Sequence, residues 1–178
     1  MNKIKDLNAF NEWKAVFDSY LDKMEDEMKE FLEPLGLQLV LDDKYNFSGK
    51  PWLAVYEKSR NLIKDNVILL GINFPRIYSK MCELGIDEDN FNIEAQARIT
   101  VGHEIGHGLV DFMKSTVRLD DARQYPNLHK VLICSKIREE RIVEEFGESL
   151  FPEATSVYDS ILRDALDELI EMKSTENN

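Results

Sequence analysis

The sequence predicts an α+β domain in which a small mixed sheet packs on a central helix, between long helices at the two ends of the chain. Three observations predict it. Apolar residues recur at spacings of three and four near both ends, the signature of amphipathic helices. Three short apolar segments between residues 37 and 73 are bounded by turn-forming residues, as strands are. The run His103-Glu104-Ile105-Gly106-His107 spells H-E-x-x-H inside a further helical stretch.

The elements follow in order. Asn8 is placed to cap a first helix running to about Leu32, with Phe10, Trp13, Phe17, Tyr20, Leu21, Met24, Met28 and Phe31 at helical spacing. Pro34 and Gly36 end it. The stripe reads as core contact rather than a ligand box. Strands are expected at Leu37–Leu41, Trp52–Tyr56 and Val67–Asn73, with residues 42–51 as a loop or hairpin connection. Lys50 follows Gly49, but the rest of a phosphate-binding loop is absent. A short helix is expected over Pro75–Leu84, then an acidic loop to Asn92.

The helix carrying the motif begins near Asn92 or Ile93 and runs to about Met113. Val101, Ile105, Leu109 and Phe112 form one apolar stripe, and His103 and His107 project from the opposite side, flanked by Ile99 and Val110. Gly106 and Gly108 each weaken the helix by about 1 kcal/mol relative to Ala. That cost is tolerable if a strand or a substrate must approach closely. Residues 115–126 read as a loop, and a second long helix as Asn127–Leu150 with Leu128, Leu132, Val143, Phe146 and Leu150 apolar. Arg138, Glu139, Glu140 and Arg141 interrupt that stripe. Pro152 stops the helix, and a last amphipathic helix carries Val157, Ile161, Leu162, Ala165, Leu166, Leu169 and Ile170. The reading is one domain over 1–178: an N-terminal helix (1–34), a core (37–152) and a C-terminal helix (153–173).

Composition limits function. The formal net charge is −12 and no Lys/Arg-rich run is present, which argues against nucleic acid as a partner. The N-terminal segment has no apolar signal core and no stretch has the length of a membrane span, so a cytoplasmic protein without a membrane partner is expected. Cys82 and Cys134 are far apart and neither has a C-x-x-C partner, so reduced thiols are expected and a cysteine zinc site is not.

The chemistry lies in the motif. On a helix, residues i and i+4 share a face, so His103 and His107 can reach one metal ion, while Glu104 reaches a metal-bound water. A catalytic zinc takes three protein ligands and lowers the pKa of its water to about 7. Glu104 is then the general base that takes the water's proton and passes it to the leaving amine. The third ligand has three candidates. A carboxylate from Glu139 or Glu140 is the natural one; Glu139 points nearer the centre of the Leu132/Val143/Phe146 stripe. His129 is the only other histidine, and on one continuous helix it lies about 16 Å from Glu140, too far to share an ion.

His103-Glu104-x-x-His107 followed by Glu140-Arg141-Ile142-Val143-Glu144-Glu145-Phe146-Gly147 resembles the zincin metallopeptidases of the gluzincin type. The second segment is similar to E-x-E-A-N-x-F-A of ImmA/IrrE-type metallopeptidases and E-x-E-A-D-x-F-A of HtpX-type ones. Leu150-Phe151-Pro152 is similar to the L-L-M-P ending of the former, one residue shorter. The resemblance covers about residues 67–152. It implies a zincin-like domain, with Glu140 as third zinc ligand, Glu144 as the partner that supports His103, and Phe146 packed below. The chain departs from the pattern at Ile142, Val143, Glu144 and Gly147, and in its longer spacing from His107 to Glu140.

The expected function is therefore a zinc-dependent metallopeptidase acting on a peptide or protein substrate. Two other readings remain: a regulatory protein of the ImmA/IrrE kind acting on one partner, and a non-catalytic zinc-bound interaction module. Tyr125, His129, Arg141 and Tyr158 are candidate donors to a developing oxyanion, and Val67–Leu70 is either an edge strand that pairs with an extended substrate or an internal strand of the small sheet. Substrate identity and oligomeric state are not legible.

Overall fold

The structure, a computed structural model, describes residues 6–42, 45–47, 50, 52–56, 66–84, 93–150 and 160–176. Helix α1 (Leu7–Leu32) follows the expected stripe and buries Trp13, Phe17, Leu21, Met24, Met28 and Leu32. Its cap is Asp6, not Asn8: the Asp6 carboxylate accepts from the Asn8 and Ala9 amides at 2.9 and 3.1 Å. A 3-10 turn over Glu33–Leu35 and a left-handed Gly36 (φ 67°) end it, as Pro34 and Gly36 predict.

Three strands follow: β1 (Gln38–Asp42), β2 (Ala54–Tyr56) and β3 (Val67–Ile72). They form one mixed sheet in the order β1-β3-β2. β1 runs parallel to β3, pairing Gln38 with Val67 and Asp42 with Gly71. β2 runs antiparallel to it, pairing Ala54 with Ile72 and Tyr56 with Leu70. Val67–Leu70 is therefore the central strand, paired on both sides: of the two placements left open by the sequence, it is the internal strand and not the substrate-pairing edge. Its nearly unbroken apolar run is what a strand buried on both faces requires. The edges are β1 and β2.

Helix α2 (Phe74–Glu83) is capped by Asn73, whose side chain accepts from the Arg76 amide at 3.2 Å. Its Phe74 and Tyr78 meet Phe10, Trp13 and Phe17 of α1 with ring centroids 5.2–5.3 Å apart, mostly edge to face. The central helical run has three parts: α3 (Ile93–Ala97), a π-helical turn (Arg98–Gly102) and α4 (His103–Thr116). The expected stripe of Val101, Ile105, Leu109 and Phe112 is buried in the core.

The predicted long helix 127–150 is two helices, α5 (Pro126–Leu132) and α6 (Lys136–Ser149). The break falls at Ile133–Ser135. Ser135 takes an extended backbone and its hydroxyl accepts from the Arg138 amide, restarting the helix as an N-cap does. The last helix among the described residues is α7 (Ile161–Glu176); Val157 and the rest of 151–159, where the sequence places the start of the C-terminal segment, lie outside the described residues.

Helix α7 ties the helical layer together. The Glu168 carboxylate accepts from the Asn127 amide (2.9 Å), the Leu128 amide (2.7 Å) and the Asn127 side chain (3.1 Å), satisfying the orphan donors that begin α5. Arg163 donates to the Ser149 carbonyl at 3.0 Å, pairs with Glu27 of α1 and stands over the Phe31 ring. Arg98 donates to the Leu150 carbonyl at 3.3 Å, so two guanidinium groups take up carbonyls at the end of α6. Among the described residues no helix is long and apolar enough to cross a membrane.

Glu168→Ala leaves three part-buried donors without their carboxylate. It is expected to lower the unfolding free energy by about 1–3 kcal/mol, read from the urea midpoint at unchanged slope.

Candidate metal centre

Two helices build the site by packing closely at glycines. A Cβ placed on Gly106 of α4 would lie 2.8 Å from Val143 Cβ of α6. One placed on Gly147 would lie 2.7 Å from the Arg98 carbonyl oxygen and 3.1 Å from the His103 nitrogen. The π-helical turn meets Gly147 at this point: the His103 amide donates to the Arg98 carbonyl five residues back. On another side of α4, a Cβ on Gly108 would lie 2.6 Å from Ile68 of β3 and 3.2 Å from the Tyr56 ring of β2. The glycines of the motif helix thus admit a helix at Gly106 and the sheet at Gly108.

This packing brings three donors together. His103 Nε2 and His107 Nε2 are 3.2 Å apart. Glu140 Oε2 lies 3.5 Å from the first and 3.6 Å from the second. A tetrahedral ion with bonds of about 2.0–2.1 Å sets its donors about 3.3–3.4 Å apart, so the triangle fits such an ion. Two neutral nitrogens and one carboxylate also match the donor set of open, three-ligand zinc sites. His103, His107 and Glu140 are the only such group of ligating side chains among the described residues.

Glu139 takes a different place. Its Oε1 lies 3.2 Å from His107 Nδ1, the ring nitrogen facing away from the triangle. Its Oε2 accepts from Lys114 Nζ at 2.6 Å. Neighbouring helical residues point about 100° apart, so of the Glu139-Glu140 pair one faces the donors and the other reaches behind His107. Burial pushes the Glu139 carboxyl up, but the hydrogen bonds and charges of Lys114 and His107 outweigh it and hold the group below its ordinary value. Burial likewise lowers Lys114, and hydrogen bonding and electrostatic attraction from Glu139 and Cys134 override it, leaving the ammonium above its ordinary value. Lys114, Glu139 and His107 form one chain of contacts from α4 to α6 and back.

Glu144 is exposed, and no contact to His103 is recorded for it among the described residues. His129, on α5, is half-buried and is not part of the donor group. Of the candidate oxyanion donors, Tyr125 is buried in the core, Arg141 is exposed and pairs with Glu145, and Tyr158 lies outside the described residues.

Glu104 leans toward the sheet. Its Oε2 accepts from the Tyr56 amide at 2.7 Å. The Leu53 carbonyl bonds across to Asn73, so alternate residues, Ala54 and Tyr56, turn their main-chain groups outward from β3. Glu104 thus occupies an outward amide of an edge strand, and its other oxygen makes no hydrogen bond among the described residues. The Tyr56 phenol is pushed up to about 12, by burial first and then by the Asp111 carboxylate, so it stays protonated at neutral pH.

Sequence reasoning overlooked Lys114 and the Tyr56 amide. Lys114 had a signal, since it follows His107 by seven residues and so shares its face. The amide had none, because a backbone group carries no residue type. Comparison with family models, with curated proteins and with solved structures finds no match.

Gly147→Ala sets two small effects against each other. Ala gains about 1 kcal/mol of helix propensity over Gly. A methyl group pressed on backbone that cannot rotate away costs about 1–3 kcal/mol. The variant is expected to be less stable than the parent in chemical denaturation, whereas Gly to Ala on an open helix face stabilises.

Proposed function

We propose that this protein is a zinc-dependent metallopeptidase with a zincin-like core of the gluzincin type. The observation that carries the reading is the donor triangle of His103, His107 and Glu140, with sides of 3.2, 3.5 and 3.6 Å, beside a Glu that no donor position needs. A structural metal site uses four closed ligands and has no use for a base. Zinc in an open site polarises a carbonyl and brings the pKa of its water to about 7.

The chain's own residues divide the work. His103 and Glu140 hold the ion from two different helices, and His107 holds it with its ring fixed from behind. Glu139 accepts a hydrogen bond from His107 Nδ1–H, which selects the tautomer whose Nε2 lone pair faces the donors. Lys114 balances the charge of Glu139 and fixes its orientation. Glu104 acts as general base through the oxygen left by the Tyr56 amide and returns the proton to the leaving amine. The outward main-chain groups of Ala54 beside it suit pairing with an extended peptide.

Glu104→Gln keeps the donors and removes the base. Zinc content by atomic absorption should stay at one per chain, while hydrolysis of fluorogenic peptides falls by about 10²–10⁴-fold. Turnover at the parent's rate would overturn the mechanism. Glu139→Gln and Lys114→Met leave the ligands intact and should weaken zinc binding by about 10–100-fold in competition with a chelator. Unchanged affinity in both would assign the pair to fold stability alone.

A further inference from the structure

The chain is strongly acidic, with 34 Asp and Glu among 178 residues. Yet the seventeen residues from Ala122 to Arg138 contain neither, and hold Arg123, Lys130, Lys136 and Arg138. Arg123 pairs with Asp120 at 2.8 Å. Lys130, Lys136 and Arg138 are exposed, and no acidic partner is recorded for them among the described residues. Elsewhere Lys14, Lys29, Arg98, Lys114, Arg141 and Arg163 each have one, while Lys23, Arg76, Lys80 and Arg118 show none among the described residues; of these only Arg76 and Lys80 lie close in sequence, as a pair.

Two isoleucines stand among these three cations. Ile133 is 57% exposed and Ile137 is 87% exposed, the most exposed large apolar side chain among the described residues. The break between α5 and α6 creates the corner, since it ends one helix at Lys130–Ile133 and starts the next at Lys136–Arg138. Helix stability does not explain the composition. Lys136 and Arg138 sit in the first turn of α6, where the helix dipole disfavours cations, and an exposed isoleucine gains nothing from the core. Ile137 lies one turn before Glu140 on the same helix, so the corner borders the donor triangle.

We infer that this corner docks an acidic segment of a protein partner that carries an apolar residue, and presents that segment to the metal centre. The charge complementarity is local: three cations with no acidic partner among the described residues (Lys130 bonds only the neutral Asn127 side chain, at 3.2 Å) meet the acidic side chains, and Ile133 and Ile137 cover the apolar one. A nucleic acid fits poorly, because three cations release few counterions and the remaining surface repels a polyanion. Presentation to the metal centre rests on the peptidase reading; docking does not.

The test uses the full chain carrying Glu104→Gln, so that nothing is cleaved. The probes are a fluorescein-labelled peptide of alternating Glu and Leu, its Lys and Leu counterpart, a DNA duplex and phosphatidylserine vesicles. Anisotropy should show binding of the acidic peptide alone, with or without zinc, weakening at least tenfold between about 50 and 500 mM salt. Lys136→Glu with Arg138→Glu, and separately Ile137→Ser, should each weaken it at least tenfold. The charge variants suit the helix dipole, so they are expected to fold, with circular dichroism as the check. Equal binding of both peptides, preference for DNA or vesicles, or insensitivity to both variants overturns the proposal. If the zinc-free protein docks the acidic peptide and the wild-type zinc protein cleaves no peptide, the peptidase reading fails while docking stands. Cleavage that is indifferent to an acidic extension and to these substitutions overturns docking alone.

Discussion

The close approach of α4 and α6 is the constraint on which the site depends. It requires that Gly106 and Gly147 carry no side chain, since a methyl group on either meets Val143 or backbone at under 3 Å. Glu140 reaches the two histidines only because the helices come this near. The π-helical turn over Arg98–Gly102 falls at the same place, directly before His103. The extra residue in that turn changes the phase of the helix at the point where the imidazoles begin.

The surrounding contacts hold this pair of helices. Arg98 and Arg163 take the carbonyls at the C-terminal end of α6, and Ser135 caps its beginning. Glu139 and Lys114 cross between the two helices behind His107. On the other side of α4, Gly108 lets Ile68 and Tyr56 of the sheet come close, which places the β2 edge within hydrogen-bonding distance of Glu104. A helix with conventional side chains at these positions would be more stable alone and would keep both neighbours at a distance.

Much of this was legible, and the misreadings have specific causes. The spacing of apolar residues placed α1 and the motif helix, because Phe17, Met24, Met28, Val101, Ile105 and Leu109 follow the helical period closely and are buried in the structure. The strands were found within one or two residues at most ends. The 127–150 helix was read as continuous because Ile133 and Cys134 carry no turn signal, and a lone Ser135 is common inside helices. The sequence left the place of β3 open between edge and centre because pairing is non-local: no local pattern says on which side the β1 and β2 segments pair.

The sequence by itself determined the residue types of the site: two histidines one helical turn apart, a carboxylate after the first, and an acidic pair on a later helix. Helical periodicity is a local property, so spacing alone carries that much. Only the tertiary structure decided how the acidic pair divides, with Glu140 toward the donors and Glu139 behind His107 against Lys114. That division depends on the rotation of α6 about its own axis, which is set by how Val143 and Gly147 seat against Gly106 and the π-helical turn. A one-residue rotation would exchange the two roles, and helical periodicity does not distinguish the two settings; in the sequence only the resemblance of the segment beginning at Glu140 favoured one of them.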